Sequence, residues 1–523
     1  MARIKIGNLK PVSLVLLVIL FLSFFFRFYH LVDWFSFGMD QEYEAFLVRN
    51  IITGKHFPLI GVNAGSTGIY LGPIFIYLAS LPYIIFRGNP LGWAVTASFM
   101  GVITTWLIYY IVDKLFNQKA ALFSSFFYAV SFLASFYDRS FWNPSLVPLL
   151  SLLIIYFLYQ INLNRQHYLI YLAVIFGLAF HTHLSLLIYT PLIIYVLYRK
   201  FKSIKKRILL YSLIIFLILQ LPLIIFELRH NFPNSSAVIN LVTGRTLFQT
   251  DQSKLPERIK VLTNFFGRFI FIPPFPDLFA EKGLCKDLTW VKKNAYPEIV
   301  GLSFFGLLYF LISYKSHFRE GRKKFPFLLI ISVFLLTIIS VLFYPRSFHE
   351  YYLLSLFPLL AIILGVSVGI IWQKEHGQLI VSFIISLFFT LNLITLFTAQ
   401  NSFNYNRKLA VLDFARQYIK GENYNLEALG DCPRFAGWGY LFEYYLGKPL
   451  HSYLDSYFGW LNYDQAVSGQ PHSIVLLSMI DSRSNSNTIA KWQEDKLRFL
   501  MEFHVRAAKL WDNIHVYILS VKK

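Results

Sequence analysis

The sequence has few charged residues and almost no cysteine. Of its 523 residues, only 15% are Asp, Glu, Lys or Arg and 56% are hydrophobic, whereas soluble domains are about 25% charged. This balance excludes a disordered chain, a fibrous protein and a soluble enzyme, and predicts a protein that crosses a membrane many times. The two cysteines, Cys285 and Cys432, are too few for a disulfide framework or a metal site.

The net charge of +20 does not indicate a nucleic-acid-binding protein. Short polar loops that we assign to the cytoplasm carry 18 Lys and Arg and three acidic residues. They therefore account for most of the excess charge, as expected where basic loops stay on the cytoplasmic side of a membrane. The two strongest are Arg199–Arg207 and Lys315–Lys324.

Long apolar runs alternate with these basic loops. Arg3, Lys5 and Lys10 precede the first run, which reads as an uncleaved signal anchor because bulky Phe residues end it. If the basic loops are cytoplasmic, run 69–86 cannot span the membrane. Run 168–198 must then cross the membrane twice, with an outer turn at 181–185. The sequence thus predicts eleven spanning helices in runs 12–26, 91–112, 120–137, 144–161, 168–198, 208–228, 297–314, 325–343, 351–371 and 379–399.

This topology divides the chain into two parts. Residues 1–399 form an all-α polytopic membrane bundle with two sizeable outer loops, 32–90 and 229–296. Residues 400–523 form a small outer α/β domain, with an amphipathic helix over 404–420 and strands over 474–480 and 514–521. The N-terminus is expected inside the cell and the C-terminus outside, in the plasma (cytoplasmic) membrane.

Ionisable and polar residues gather at the outer ends of the apolar helices, where they mark candidate functional sites. Asp40, Glu42 and Glu44 form the most acidic stretch, for which a solvated acidic loop is the alternative reading. Loop 229–296 is net basic, which suits an anionic lipid headgroup. The other candidates for substrate binding could also be ion pairs or interfacial anchors; they are Asp138, Arg139, Asn143, His183, Glu227, Arg229, His230, Arg346 and His349. His181 and His183 lack an acidic third ligand nearby, so no metal site is assigned to them.

Several of these stretches together resemble the GT-C superfamily of membrane glycosyltransferases. The most similar branch is family 39, with the protein O-mannosyltransferases, the aminoarabinose transferases and their RgtA/B/C/D-like relatives. The resemblance covers roughly residues 10–400. Its motifs are the acidic stretch 40–45 with Gly54, the segment 72–77, the Asn143-Pro144 pair where the family often has Asp-Pro, the run 221–230 and the run 351–358.

The resemblance implies transfer of a sugar from a polyprenyl-phosphate donor to a glycan, lipid or protein acceptor on the outer face, with inversion. It assigns the catalytic aspartate to Asp40, while Gln41 replaces the usual second acid and leaves Glu42 as a further catalytic candidate. A positioned carboxylate can take the acceptor's proton. Arg346, then Arg229, with His230 and His349 near, would stabilise the departing phosphate. No cofactor is certain, and a divalent cation (Mg or Mn) stays open.

Two other classes of function are weighed against the enzyme. A transporter or flippase for a lipid-linked or anionic solute should show repeated halves and polar groups in mid-membrane, and the sequence shows neither. A non-catalytic scaffold would use its outer tail to bind a partner, and a loss of activity on Asp40→Asn would exclude it.

Overall fold

The computed structural model describes residues 11–64, 67–243, 254–273, 294–344, 348–401, 404–419, 421–430, 432–461, 470–480, 484–511 and 514–521. Helices dominate these residues, and a single small sheet lies near the C-terminus. The helices are α1 (Pro11–Phe28), α2 (Leu31–Trp34), α3 (Met39–Ile52), α4 (Ile74–Ile85), α5 (Pro90–Leu115), α6 (Gln118–Val130), α7 (Phe132–Tyr137), α8 (Val147–Asn162), α9 (Tyr168–Thr182), α10 (Thr190–Lys200), α11 (Lys206–Arg229), α12 (Pro233–Val242), α13 (Leu255–Ile270), α14 (Pro297–Ile312), α15 (Lys324–Leu342), α16 (Leu356–Ile371), α17 (Gly377–Thr398), α18 (Tyr405–Ile419), α19 (Trp438–Leu446), α20 (Asp455–Phe458) and α21 (Ser486–Glu502).

Membrane-spanning helices build the first 400 residues. Among the described residues, six helical segments are long and apolar enough to cross a membrane, and five shorter helices are also apolar. Ten of the eleven predicted spans coincide with one of these helices, and the eleventh, run 120–137, corresponds to α6 and α7. The prediction of a polytopic helical bundle is therefore confirmed.

The two unusual runs have the predicted form. Run 69–86 yields only the 12-residue α4, which follows Pro73 and contains Pro82; a helix of this length reaches about 18 Å, well short of the bilayer core. Run 168–198 is interrupted at His183, whose backbone is extended between α9 and a 3₁₀ turn over Leu184–Tyr189 that leads into α10.

A break in the predicted span 120–137 falls at Ser131, where α6 ends and α7 begins. The backbone groups freed by the break find polar partners, as an apolar environment requires. Ser131 donates its hydroxyl to the Phe269 carbonyl over 2.9 Å, and the Asn392 side-chain oxygen accepts from the Phe132 amide over 2.8 Å.

The centre of the bundle is α16, whose residues 356–370 are all buried. It lies directly against α6 because glycine allows the two backbones to approach closely. A Cβ atom on Gly365 would lie 2.3 Å from the Ser124 amide nitrogen. This tight contact fixes the helices that carry the outer loops.

The C-terminal part, residues 404–521, forms a four-stranded sheet with flanking helices. Its strands are β1 (Tyr424–Leu429), β2 (Ser473–Ser478), β3 (Phe503–Trp511) and β4 (Ile514–Val521), in the order β1-β2-β4-β3, with β1 and β2 parallel and the other pairs antiparallel. The expected α/β character, the helix over 404–420 and the strands near 474–480 and 514–521 are all present. Cys432 is buried and disulfide-bonded, which was not foreseen.

Candidate active site

A cavity of about 950 Å³ lies between the outer loops and the ends of the membrane helices. Asp40, Asn63, Thr67, Asn143 and His183 form a polar part of its wall. The apolar part comes from the 3₁₀ turn, α10 and α15, and comprises Leu184, Leu187, Ile188, Pro191, Leu336 and Val341. The volume lies within the range of small-molecule sites, and the mixed lining suits a ligand with a polar head and an apolar tail.

Residues 61–64 and 67–72 form one side of the cavity. The two segments are joined by hydrogen bonds from the Leu71 amide to the Val62 carbonyl and from the Gly61 amide to the Leu71 carbonyl, over 3.0 and 2.6 Å. At the end of the second segment, the Gly72 amide donates to the Phe180 carbonyl over 2.9 Å. Gly72 is required there because a Cβ atom would lie 1.7 Å from His181 Nδ1.

Asp40 occupies the first turn of α3 and faces the cavity. Gly38 is the N-cap of the helix, and its amide donates to Gln41 Oε1 over 2.7 Å; Gln41 thus stabilises the start of the helix. The Asp40 side chain is accessible from the cavity, yet protein surrounds it, and the resulting desolvation raises the pKa of its carboxyl above the ordinary value. A carboxylate in this setting is a better proton acceptor than one in water.

Glu44 lies one helical turn after Asp40 and is fully buried. Neither of its carboxyl oxygens makes a hydrogen bond of standard geometry among the described residues, and the Asn143 amide is the backbone group that favours its charged form. Burial, and then the charge of Asp40, raise the pKa of Glu44 well above its usual value. Both effects favour the neutral form of Glu44, and the accessible Asp40 side chain is the better placed of the two to hold a negative charge.

Glu42 does not reach the cavity. It points to the C-terminal part, where its Oε1 accepts from the Tyr440 amide over 2.8 Å. Burial raises the pKa of Glu42 to about 8 despite this bond and the nearby Lys408, and burial also lowers the pKa of Lys408 to about 7. The structure thus places Glu42 outside the cavity that Asp40 faces, where its side chain connects α3 to α19.

Asp138 and Arg139 also lie away from the cavity lining. Asp138 pairs with Arg27, whose Nη2 and Nε donate to Asp138 Oδ2 over 2.7 and 3.0 Å. Arg139 is 1% exposed and donates to the carbonyls of Phe26 and Arg27. Both residues hold α1 against the end of α7, and neither lines the cavity.

Asn143 and His183 do line the cavity. Asn143 donates its side-chain amide to the Thr182 carbonyl over 2.8 Å, and His183 Nδ1 lies 2.7 Å from Ser185 Oγ. Burial lowers the pKa of His183 to about 4, so the imidazole is neutral at pH 7. His183 can therefore offer a hydrogen bond to a ligand but no positive charge.

The segment that ends α11 supports the cavity from outside it. Glu227 accepts from the Asn234 and Ser235 amides, each over 2.9 Å, and so caps α12. Asn234 in turn accepts from the amide of the cavity residue Tyr70 over 2.8 Å. Arg229 and His230 are exposed, and none of Glu227, Arg229 and His230 lines the cavity.

The last predicted segment, 344–352, contributes aromatic residues. Tyr344, Phe348, Tyr351 and Tyr352 line the cavity. His349 stacks on Tyr351, with ring centroids 5.7 Å apart, and is not in the lining. Arg346 lies outside the described residues, although the chain on both sides of it, at Tyr344 and Phe348, reaches the cavity.

Two buried arginines of the basic loop were not singled out from the sequence. Arg258 donates to the carbonyls of Leu342 and Tyr344, and Arg268 pairs with Glu350 over 2.8 Å. Their positions ten residues apart on α13 gave no signal in the sequence beyond the net charge of the loop. Both cations hold the segment around 344–352 in place, so part of the basic excess is structural.

Comparison with known proteins gives this geometry a family context. Residues 71–226 match the family model described as dolichyl-phosphate-mannose-protein mannosyltransferase. No curated protein matches the sequence. The model resembles the crystal structure of ArnT from Cupriavidus metallidurans bound to undecaprenyl phosphate, with a TM-score of 0.55, 13% identity and 97% of each chain covered.

The model also resembles the Archaeoglobus fulgidus oligosaccharyltransferase in complex with Zn and sulfate. The TM-score is 0.52 and the identity 14%, over 88% of this chain and 67% of that one. Both solved proteins are GT-C enzymes. The chain has the GT-C fold. The fold confirms the predicted GT-C architecture, and the family match over residues 71–226 supports the prediction of a membrane glycosyltransferase. In this GT-C chain the matched segment 71–226 includes Asn143 and His183 of the cavity wall.

Proposed function

We propose that the protein transfers a sugar from a polyprenyl-phosphate donor to an acceptor on the outer face of the membrane, with inversion at the anomeric carbon. The observation that carries the proposal is the cavity, which has Asp40 in its polar part and an apolar part between α10 and α15. The outer faces of these two helices expose Ile194 and Leu335 to lipid, so a polyprenyl chain can enter there. The likeness to ArnT bound to undecaprenyl phosphate supports this donor class.

A lipid phosphate is a good leaving group, so the reaction needs no strong general acid from the protein. The acceptor hydroxyl attacks the anomeric carbon, its oxygen forms the new glycosidic bond, and the bond from carbon to the phosphate oxygen breaks. Asp40 takes the proton of the hydroxyl. The electron pair of the broken bond stays on the phosphate, where cations and hydrogen-bond donors stabilise it.

A divalent cation does not fit the residues described so far. They contain no group of three His, Cys, Asp or Glu side chains that could hold a metal ion, and Asn143 stands where the family often has an aspartate. We therefore derive no step through a metal. The transporter or flippase alternative is not favoured, because both the family match and the fold are those of transferases.

Arg346 remains our first candidate for the donor phosphate. The described lining of the cavity contains no Lys or Arg, and the chain on both sides of Arg346 reaches it. Loss of one charge-assisted hydrogen bond to a phosphate costs about 1.5–3 kcal/mol, so Arg346→Ala should raise the KM for undecaprenyl-phosphate hexose by roughly 10-fold or more. Steady-state kinetics in proteoliposomes measure this.

Arg229→Ala is the matched control because Arg229 is exposed and outside the lining. Its donor KM should equal that of the parent. If Arg346→Ala leaves both KM and kcat unchanged while Arg229→Ala weakens the donor, the phosphate site lies at the end of α11 instead.

We also propose that the loops at 199–207 and 315–324 are cytoplasmic and that the C-terminal part lies outside. The basic charge of those loops supports this orientation. The disulfide at Cys432 supports it independently, since disulfides persist in oxidising compartments.

Cysteine labelling of intact cells measures this orientation. A membrane-impermeant maleimide should label Asn487→Cys but not Ser203→Cys, both of which replace exposed residues. The parent chain controls for its own two cysteines. Labelling at position 203 but not at position 487 would show that the orientation is the reverse of the one proposed.

A further inference from the structure

Helix α3 has two faces with different surroundings. One face places Asp40 and Tyr43 in the cavity. The other face is held by the C-terminal part, where Arg49 pairs with Glu443 and the Asn50 side chain donates to the Leu461 carbonyl over 2.8 Å. The position of the proposed catalytic carboxylate therefore depends on residues some 400 positions later in the chain.

Phe458 brings the C-terminal part into the cavity itself. It ends α20, is 7% exposed and lines the cavity beside Tyr43, with ring centroids 5.6 Å apart. The Phe46 ring packs behind it at 6.4 Å. The amide of Phe458 donates to the Leu454 carbonyl over 2.7 Å, so the ring is fixed by backbone as well as by packing.

The donor and the acceptor must approach Asp40 from different sides. A polyprenyl chain can reach the cavity only through the apolar part between α10 and α15, because its tail stays in the bilayer. The acceptor hydroxyl must attack from the face of the sugar opposite the phosphate. Tyr43 lies one helical turn after Asp40, and Phe458, which packs on Tyr43 and lines the same cavity, belongs to the C-terminal part rather than to the membrane helices.

We propose that Tyr43 and Phe458 form the acceptor wall of the cavity and that the acceptor is a pyranose-bearing glycan. The apolar C–H face of a pyranose ring packs on a flat aromatic ring, while its hydroxyls remain free to reach Asp40. Phe458 is then a specificity-determining residue supplied by the C-terminal part. This inference rests on the proposed function.

The test uses the full-length protein in proteoliposomes with undecaprenyl-phosphate hexose as donor. A panel of methyl hexopyranosides and methyl pentopyranosides serves as acceptors, and a Ser/Thr-containing peptide serves as the alternative class. Phe458→Ala should raise the KM for the pyranoside roughly 10-fold and leave the donor KM within about twofold of the parent. Phe458→Leu should behave like Phe458→Ala because it restores apolar volume but not a flat ring, and Phe458→Tyr should retain the parental KM.

Tyr457→Ala is the matched control. This neighbouring ring is 46% exposed, lies outside the cavity and packs against Arg434, so its removal should leave both KM values unchanged. If Phe458→Leu keeps the parental KM for the acceptor, Phe458 only fills space. Packing of its ring on a pyranose is then contradicted. Transfer to the peptide but to no pyranoside would overturn the acceptor class. Each of these results leaves donor cleavage intact, whereas a parent that releases no undecaprenyl phosphate overturns the proposed function itself.

Discussion

Asp40→Asn should lower sugar transfer at least roughly 100-fold, because general-base help is typically worth 10²–10⁴-fold, or about 3–5 kcal/mol of the barrier. Asparagine keeps the shape of the side chain and its hydrogen-bonding capacity but cannot take the acceptor's proton. The variant should insert, fold and bind donor lipid as the parent does. Single-turnover transfer from radiolabelled undecaprenyl-phosphate hexose gives the rate, and lipid binding is measured separately.

Glu42→Gln is the matched control for that experiment. Its Oε1 would still accept the hydrogen bond from the Tyr440 amide, so transfer should stay within a few-fold of the parent. Glu44→Gln replaces a buried acid, which we expect to be neutral, by a neutral side chain of the same shape. Transfer by this variant should therefore also stay within a few-fold of the parent. An inactive Glu42→Gln beside a near-parental Asp40→Asn would place the catalytic carboxylate two residues later. Activity in all three variants would leave the acidic stretch without a catalytic role.

Arg27→Ala should destabilise the folded protein by about 3–5 kcal/mol, because it leaves the buried carboxylate of Asp138 without its partner. Arg27 is fully buried and also donates to the Ala129 carbonyl over 3.0 Å. Gly101 faces the pair so closely that a Cβ atom there would lie 2.3 Å from Arg27 Nε. The loss of stability is measured as thermal unfolding in detergent, monitored by size-exclusion chromatography.

Two comparisons separate this structural role from substrate binding. The double variant Arg27→Met with Asp138→Leu should recover part of the stability, because it removes both charges together. Arg416→Ala breaks an exposed pair with Asp413 and should change stability little. An Arg27→Ala protein that is as stable as the parent but has a raised donor KM would instead place this pair in substrate binding.

The membrane bundle could be predicted from the sequence because each span is an apolar run. The charge of the connecting loops then indicates on which side of the membrane each run begins and ends. The interruption near His183 followed from the basic flanks of run 168–198, which require two crossings, and from its length of 31 residues, which exceeds one span. The break at Ser131 could not be predicted. It depends on partners at Phe269 and Asn392, which are far away in sequence. In the C-terminal part, β1 and β3 were missed because strand identity there comes from pairing more than from local pattern.

The candidate site was only partly predictable, for a reason of helical geometry. The sequence reads 32–90 as a loop, in which Asp40, Glu42 and Glu44 are equivalent. Once α3 is a helix, residues two positions apart face opposite sides while residues four apart share one. Asp40 therefore lines the cavity, Glu44 is buried on the same side of the helix, and Glu42 faces the C-terminal part. The partner of Asp138 was equally hidden, because Arg27 lies 111 positions earlier, at the end of the first apolar run.

The most direct test of the account follows the label of a radiolabelled undecaprenyl-phosphate hexose added to proteoliposomes that contain the purified protein and an acceptor. The account predicts that the sugar leaves the lipid-extractable fraction and appears on the acceptor, with an equal amount of undecaprenyl phosphate released, and that Asp40→Asn abolishes both. If the label instead crosses to the other leaflet on intact lipid, at the same rate in the parent and in Asp40→Asn, the protein is a flippase and the glycosyltransferase account is contradicted.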